Sequence, residues 1–283
     1  DYNEELNISP RAQIAVKPDW DTDMLFRFAT GIYYQPPFYR EVRRLDGTLN
    51  DEVKSQQSIH FILGNDYEFK MMDRPFKLTT EVYYKLFNDL NPYFVDNVRI
   101  RYQANNNSEG YAYGIDARLF GEFVPGVDSW FSVSYARAYQ NIDNRGDIPL
   151  PTDPRFKVSA FFQDYMPILT SFKVNVNFVY AAGLPMSAPQ FSDPYKYQET
   201  LNDYKRVDIG FVKEFINQKD LLPRSSFWQN FKEVSVGLDV FNIFDIRNEI
   251  SNSWIRDVHS TNVYSVPNRL TGRFFNAKMN IKF

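Results

Sequence analysis

The 283-residue sequence contains no cysteine. Disulfide scaffolds, thiolate metal sites and cysteine nucleophiles are excluded together. An oxidising compartment is compatible with this and not required by it. Histidine is nearly absent as well: His60 and His259 are the only two, far apart. A multi-histidine metal centre is excluded, and a His-dependent triad has few options. No apolar run approaches the ~18 residues that a transmembrane helix needs, and the mean hydropathy is −0.46. Transmembrane barrels are not excluded by this, because their alternating strands average out as polar. Blocks of like charge are missing and the net charge is −3, so nucleic acid is not expected as a partner. Gly-rich phosphate cradles, zinc motifs and nucleophile elbows are missing too, so neither an enzymatic role nor a cofactor is expected. The chain starts at Asp1 without a leader and reads as a mature product or a piece of something longer.

What the sequence has is aromatics: 19 Tyr and 26 Phe bring them to 17%. These suit strands and membrane-interface belts. Alternation is everywhere and helical periodicity is scarce. In the final "GRFFNAKMNIKF", Phe275, Ala277, Met279, Ile281 and Phe283 share one face, against Asn276, Lys278, Asn280 and Lys282. Strands are expected near 11–17, 23–34, 57–70, 75–87, 110–123, 128–139, 154–165, 171–182, 204–215, 232–244 and 269–283. Many have roughly 10 residues or more, the length of membrane strands rather than of the usual globular strand of about 5–6.

The connections alternate in length. Tight turns at "MMDR" (71–74), "PGV" (125–127) and "MPILT" (166–170) separate long segments at 35–56, 88–109, 140–153, 183–203 and 245–268. If the last strand leaves Phe283 at the periplasmic side, all five long segments fall outside, the pattern of outer-membrane barrels. The stretch 216–231 breaks this rhythm. The faces agree with a barrel: on 75–87, Phe76, Leu78, Val82, Tyr84 and Leu86 oppose Lys77, Thr79, Glu81, Tyr83 and Lys85. On 110–123, Ile115, Ala117, Leu119 and Phe123 oppose Asp116, Arg118, Phe120 and Glu122. A wet interior tolerates such charges, whereas a sandwich core would require them to be paired.

"LDVFNIFDIRN" (238–248) followed by "VPNRLTGRFFNAKMNIKF" (266–283) resembles the C-terminal end of TonB-dependent outer-membrane receptors. "SPRAQIAVKP" (9–18), "GIYYQPPFYRE" (31–41), "GYAYGIDARLFGEF" (110–123) and "DYKRVDIGF" (203–211) extend the likeness along the chain, in the style of Bacteroidetes-type receptors. The resemblance implies an all-β transmembrane antiparallel barrel. About eleven strands would make residues 1–283 the C-terminal half of a 22-stranded barrel, without plug or N-terminal strands. Such a half has open edges that cannot face lipid alone, so a fragment or a split-barrel subunit is expected. A closed eleven-stranded barrel would contradict this.

The resemblance also implies function: TonB-dependent uptake of a scarce nutrient (siderophore, haem, cobalamin, glycan or peptide) without chemical transformation. The alternative is a transport-inactive barrel serving as a structural subunit of an outer-membrane complex; a third is a soluble, secreted carbohydrate-binding β-sandwich. Implied partners are outer-membrane lipid, the plug and remaining strands, the TonB–ExbB–ExbD energy system, and a surface lipoprotein or other complex subunits. In the loop "YYQPPFYRE" (33–41), Tyr33, Tyr34, Phe38 and Tyr39 are candidates to stack on substrate, and Arg40 to pair with an anionic group. An aromatic girdle with a Pro-stiffened loop packing on itself is the other reading, and it applies equally to Tyr93, Phe94, Tyr195, Tyr197, Trp254 and Tyr264. Relatives place an inward carboxylate in a "G-φ-E" motif against plug arginines; here Gly114-Ile115-Asp116 matches it, and Asp116 is the candidate plug contact. The companion carboxylate of a neighbouring strand reads as replaced, with His60 as its substitute. Phe283, with Ile281 and Met279, matches the terminal barrel-insertion signal.

Overall fold

The computed structural model describes residues 5–96, 98–153, 155–166, 169–186, 199–216, 230–260 and 262–283. Among the described residues, eighteen strands run in chain order: β1 (Arg11–Val16), β2 (Asp23–Gln35), β3 (Gln56–Met71), β4 (Arg74–Leu90), β5 (Tyr93–Asp96), β6 (Arg99–Tyr102), β7 (Ser108–Val124), β8 (Val127–Ile142), β9 (Asp147–Pro149), β10 (Arg155–Met166), β11 (Leu169–Ala181), β12 (Pro185–Met186), β13 (Glu199–Thr200), β14 (Tyr204–Ile216), β15 (Glu233–Phe241), β16 (Glu249–Arg256), β17 (Val263–Arg269) and β18 (Phe274–Lys282). Eleven form one antiparallel sheet in the order β1-β2-β3-β4-β7-β8-β10-β11-β14-β15-β18, with β9 added to β8. The remaining six pair as β5-β6, β12-β13 and β16-β17. No described helix is long and apolar enough to cross a membrane. The strands are: β4 and β7 have 17 residues each, well above the roughly 9–11 a tilted membrane strand needs.

Each sheet strand pairs with the next, so connections alternate between two rims. The β3–β4 turn puts Met72 and Asp73 at φ 54° and 60°. Two left-handed residues make the hairpin turn whose twist matches that of the strands. At the β7–β8 turn Pro125 precedes Gly126, whose φ of 78° is the left-handed corner that glycine enters without strain. Five long connections leave the opposite rim: 36–55, 91–107, 143–154, 182–203 and 242–273; the β14–β15 connection, 217–232, is the long one on the rim of the short turns. Most of the irregular stretch 216–231 lies outside the described residues, as do Tyr195 and Tyr197.

Two expected boundaries are corrected. The stretch 269–283 is not one strand. Arg269 ends β17 and pairs with Glu249, and β18 begins only at Phe274, after Asp245 accepts the Arg273 N–H (2.8 Å). The strand expected over 232–244 ends at Phe241, because Asn242 turns left-handed (φ 53°) and donates its backbone N–H to Asp208 (2.8 Å).

The register divides the sheet into two faces. One row reads Ile14, Phe28, Leu63, Val82, Ile115, Tyr135, Phe156 across seven strands. All seven are exposed, from 63% for Ile14 to 39% for Phe156. The adjacent row reads Ala15, Arg27, Gly64, Glu81, Asp116, Ser134, Lys157. A slip of one residue would exchange them. A contiguous band of exposed Phe, Leu, Val, Ile and Tyr has no place in water, whereas a lipid-facing barrel wall requires one. The buried apolar cluster sits instead at the rim, where Val42, Val53 and Ala104 are at most 2% exposed.

The sheet is open. Among the described residues β1 pairs only with β2 and β18 only with β15. The chain is a curved segment of an antiparallel barrel and not a closed eleven-stranded one.

Candidate functional site in the charged face and the rim of long connections

The charged face is held by cross-strand ion pairs. Arg27 on β2 reaches Asp66 on β3 (3.2 Å) and Glu81 on β4 (3.4 Å). Lys77 on β4 reaches Asp66 (3.4 Å) and Glu68 (3.3 Å). Further round, Lys173–Glu214 (2.6 Å) and Lys278–Asp239 (3.0 Å) continue the ladder between strands, and Arg206–Asp208 (2.7 Å) adds a pair along β14. Lys77 and Glu68 stand directly opposite, Arg27 reaches Glu81 across β3, and the remaining cross-strand pairs are diagonal; together they tie the strands and leave a polar wall.

Asp116 lies on this wall, directly opposite Glu81. Arg27 neutralises Glu81, while Asp116 makes no ion pair among the described residues. The nearest inner neighbour along β7, Arg118, is occupied by the Trp130 ring, 5.1 Å from its centroid. The register places His60 and Asp116 at different heights on this wall. Glu81 is the carboxylate opposite Asp116, one strand away, and His60 sits four residues along β3 from that row, opposite Lys85. Glu81 was visible as a polar-face residue. Only the register, which sequence does not print, puts it beside Asp116.

The aromatic stretch 33–41 is divided by the structure. Tyr33 and Tyr34 belong to β2, not to a loop, so they point to opposite faces. Tyr33 packs against His60 (centroids 4.4 Å, planes 30° apart), and the Arg11 guanidinium lies over its ring at 4.3 Å. His60 shares a hydrogen bond with Ser58 (2.6 Å). Tyr34 accepts a hydrogen bond from Gln57 (2.5 Å) on the apolar side. Phe38, Tyr39 and Arg40 do stand in the rim connection, with Phe38 66% and Tyr39 65% exposed. Tyr93 instead pairs with Tyr102 inside the β5–β6 hairpin (5.4 Å).

That rim is rigidly built. Connection 36–55 and the β5–β6 connection are joined by asparagine side chains that bond to backbone. Asn91 donates to Glu41 O (2.7 Å), Asn50 to Ala104 O (2.8 Å), and Asn106 to Asp89 O (2.6 Å) while accepting from Lys54 N (2.7 Å). Burial pushes the Glu41 carboxyl up from its ordinary value, opposed by the Phe38 N–H that it accepts (2.9 Å). Asp203 moves the other way, held low by the Tyr180 hydroxyl (2.8 Å) and the Gly183 N–H (3.0 Å).

At the other end of the chain, Met279, Ile281 and Phe283 line the apolar side of the edge strand β18, 65%, 41% and 75% exposed. Phe283 packs on Phe231 (5.2 Å).

No protein-family model matches the sequence, and no curated protein sequence does. Solved structures do. The copper transporter OprC is similar over 97% of this chain and 39% of its own, at TM-score 0.67 and 14% identity. The outer membrane transporter YddB from Escherichia coli is similar over 100% of this chain and 42% of its own, at 0.63 and 13%. The pyoverdine outer membrane receptor FpvA from Pseudomonas aeruginosa PAO1 is similar over 97% and 36%, at 0.61 and 12%. The chain thus spans less than half of each of these proteins. At such identities the likeness is one of fold: the sheet of residues 11–282 is a segment of the β-barrel seen in outer-membrane transporters and receptors.

Proposed function

We propose that residues 1–283 form the C-terminal half of a TonB-dependent outer-membrane transporter of the Bacteroidetes type, which takes up a scarce nutrient. The plug and the remaining strands are to be supplied by other residues. The observation that carries this reading is the open sheet itself. One face is a continuous exposed apolar band, the other a ladder of ion pairs, and both edges are unpaired among the described residues. Exposed backbone edges cannot be left in lipid, so β1 and β18 call for partner strands. The partial coverage of the similar transporters supports the same reading.

In this reading Asp116, with Glu81 beside it, faces the plug, and Phe38, Tyr39 and Arg40 stand on the substrate side. Substrate passes without being transformed, and TonB with ExbB and ExbD supplies the energy through the plug.

The experiment is the intact mass and N-terminal sequence of the native protein, together with growth of a TonB-deficient strain. A product with several hundred residues before Asp1, and uptake that needs TonB, is expected. A product starting near Asp1 would sink the transporter reading and leave a split barrel or a structural subunit. Given a plug, Asp116→Ala combined with Glu81→Ala is expected to loosen its docking; unchanged docking and transport would remove that role.

A further inference from the structure

The rim cleft between connection 36–55 and the β5–β6 hairpin is open to solvent and has a volume of about 520 Å³. Arg40, Arg43, Arg44, Arg99 and Arg101 line it, next to Tyr39, and no carboxylate does among the described residues. We infer that this cleft binds a soluble polyanion carrying at least two phosphate or carboxylate groups.

Five guanidinium groups around one opening repel each other. Two of them are occupied. Arg43 donates to Gly47 O (3.0 Å) and to the Tyr39 hydroxyl, whose ring it covers at 5.1 Å. Arg101 reaches Asp96 at 3.7 Å. Arg40, Arg44 and Arg99 have no ion-pair partner among the described residues. Of the nearby acids, Asp46 is close enough to Arg44 to feel its charge but makes no contact pair with it. Glu41 is 5% exposed and faces the Phe38 N–H, and Asp46 is engaged by the Thr48 N–H (2.9 Å) and hydroxyl (2.7 Å).

The three come from two connections more than fifty positions apart, held together by the asparagine bonds and by the Val42–Val53–Ala104 cluster. Their backbones are therefore fixed before any ligand arrives, which lowers the ordering cost of binding. Guanidinium forks suit planar carboxylates and phosphates, two contacts at a time. The cleft lies beyond the strand ends and off the apolar rows, so a dissolved anion, and not a lipid phosphate, is its fitting occupant. The inference rests on the reading that this rim is the ligand side of the protein.

The test uses the native protein in phosphatidylcholine nanodiscs, with inorganic pyrophosphate and citrate as probes, titrated calorimetrically at low salt. Saturable binding of either ion is expected, weakened at least about tenfold in Arg40→Gln/Arg44→Gln/Arg99→Gln and steeply with added salt. The corresponding lysine variants keep the charge and lose the fork, so an intermediate loss is expected. Circular dichroism establishes that each variant is folded, and the single variant Arg44→Gln serves if the triple one is not. The inference is overturned if neither ion binds. It is equally overturned if Lys70→Gln/Lys157→Gln/Lys232→Gln weakens binding as much, or if binding appears only with phosphatidylglycerol in the disc. Because no uptake is measured, a failure here is distinguishable from a failure of the transport reading.

Discussion

Asp203 takes two donors at once, the Tyr180 hydroxyl and the Gly183 N–H, and so ties the start of β14 to the end of β11. Its folded pKa is depressed. The stability it contributes is present above the ordinary carboxylate value of about 4 and is lost as pH falls through the lower folded value. Hydrogen exchange at 182–186 is therefore expected to accelerate below about pH 4, and Asp203→Asn to show that faster exchange already at neutral pH. An exchange rate that ignores both acid and the variant would show that the anchor is idle. Asp153 is a stronger case. It is fully buried, bonds the Ala138 N–H (2.9 Å) and pairs with Arg137 (3.0 Å). Asp153→Asn strands that guanidinium. A loss of roughly 1–3 kcal/mol is expected, less than for a fully buried pair because Arg137 keeps some water; thermal unfolding followed by heat-modifiable gel mobility reads it.

At the scale of the element, β7 depends on the missing side chain of Gly114. The Tyr83 ring from β4 lies across it, and a Cβ there would meet the Tyr83 hydroxyl oxygen at 2.4 Å and the Tyr135 carbonyl at 2.7 Å. Gly114→Val is expected to cost about 1–3 kcal/mol by overpacking. Adding Tyr83→Ala should recover only part, because the backbone carbonyl stays where it is. Full recovery would show that the ring alone set the constraint. The two rim connections form a second unit, tied by Asn106, which bonds Lys54 N, Lys54 O (3.2 Å) and Asp89 O. Asn106→Ala leaves these groups to water at about 1–3 kcal/mol in total. Faster proteolysis within both 36–55 and 91–107 is expected; cleavage in only one would show that they are not coupled.

At the scale of the molecule, the described residues form a wall with two unpaired edges. On the side of β18 the terminal Phe283 stands 75% exposed next to Ile281 and Met279. Phe283→Ser leaves the sheet pairing of β15 and β18 intact, since the residue lies just past the last register pair. Its expected effect is therefore on assembly: less folded protein in the outer membrane, with the unfolding temperature of the folded fraction unchanged. A lower unfolding temperature at normal yield would mean that Phe283 works through packing on Phe231 instead.

Much of this wall was legible in the sequence because strand side chains alternate strictly. Eleven expected strands correspond to the eleven of the sheet, in order, and Phe76, Leu78, Val82, Tyr84 and Leu86 share the face foreseen for them. Turn chemistry was legible where backbone sterics are local, as at Pro125–Gly126. What the sequence could not contain is which residue stands opposite which. Only pairing between distant strands puts Glu81 beside Asp116 and His60 against Tyr33, assigns Arg269 to β17 rather than to the last strand, and gathers five arginines from two connections around one cleft. The sequence by itself determined period and face, since these follow from the geometry of a single strand. The tertiary structure decided register and neighbourhood, since these come from hydrogen bonds and packing between residues that the chain keeps far apart.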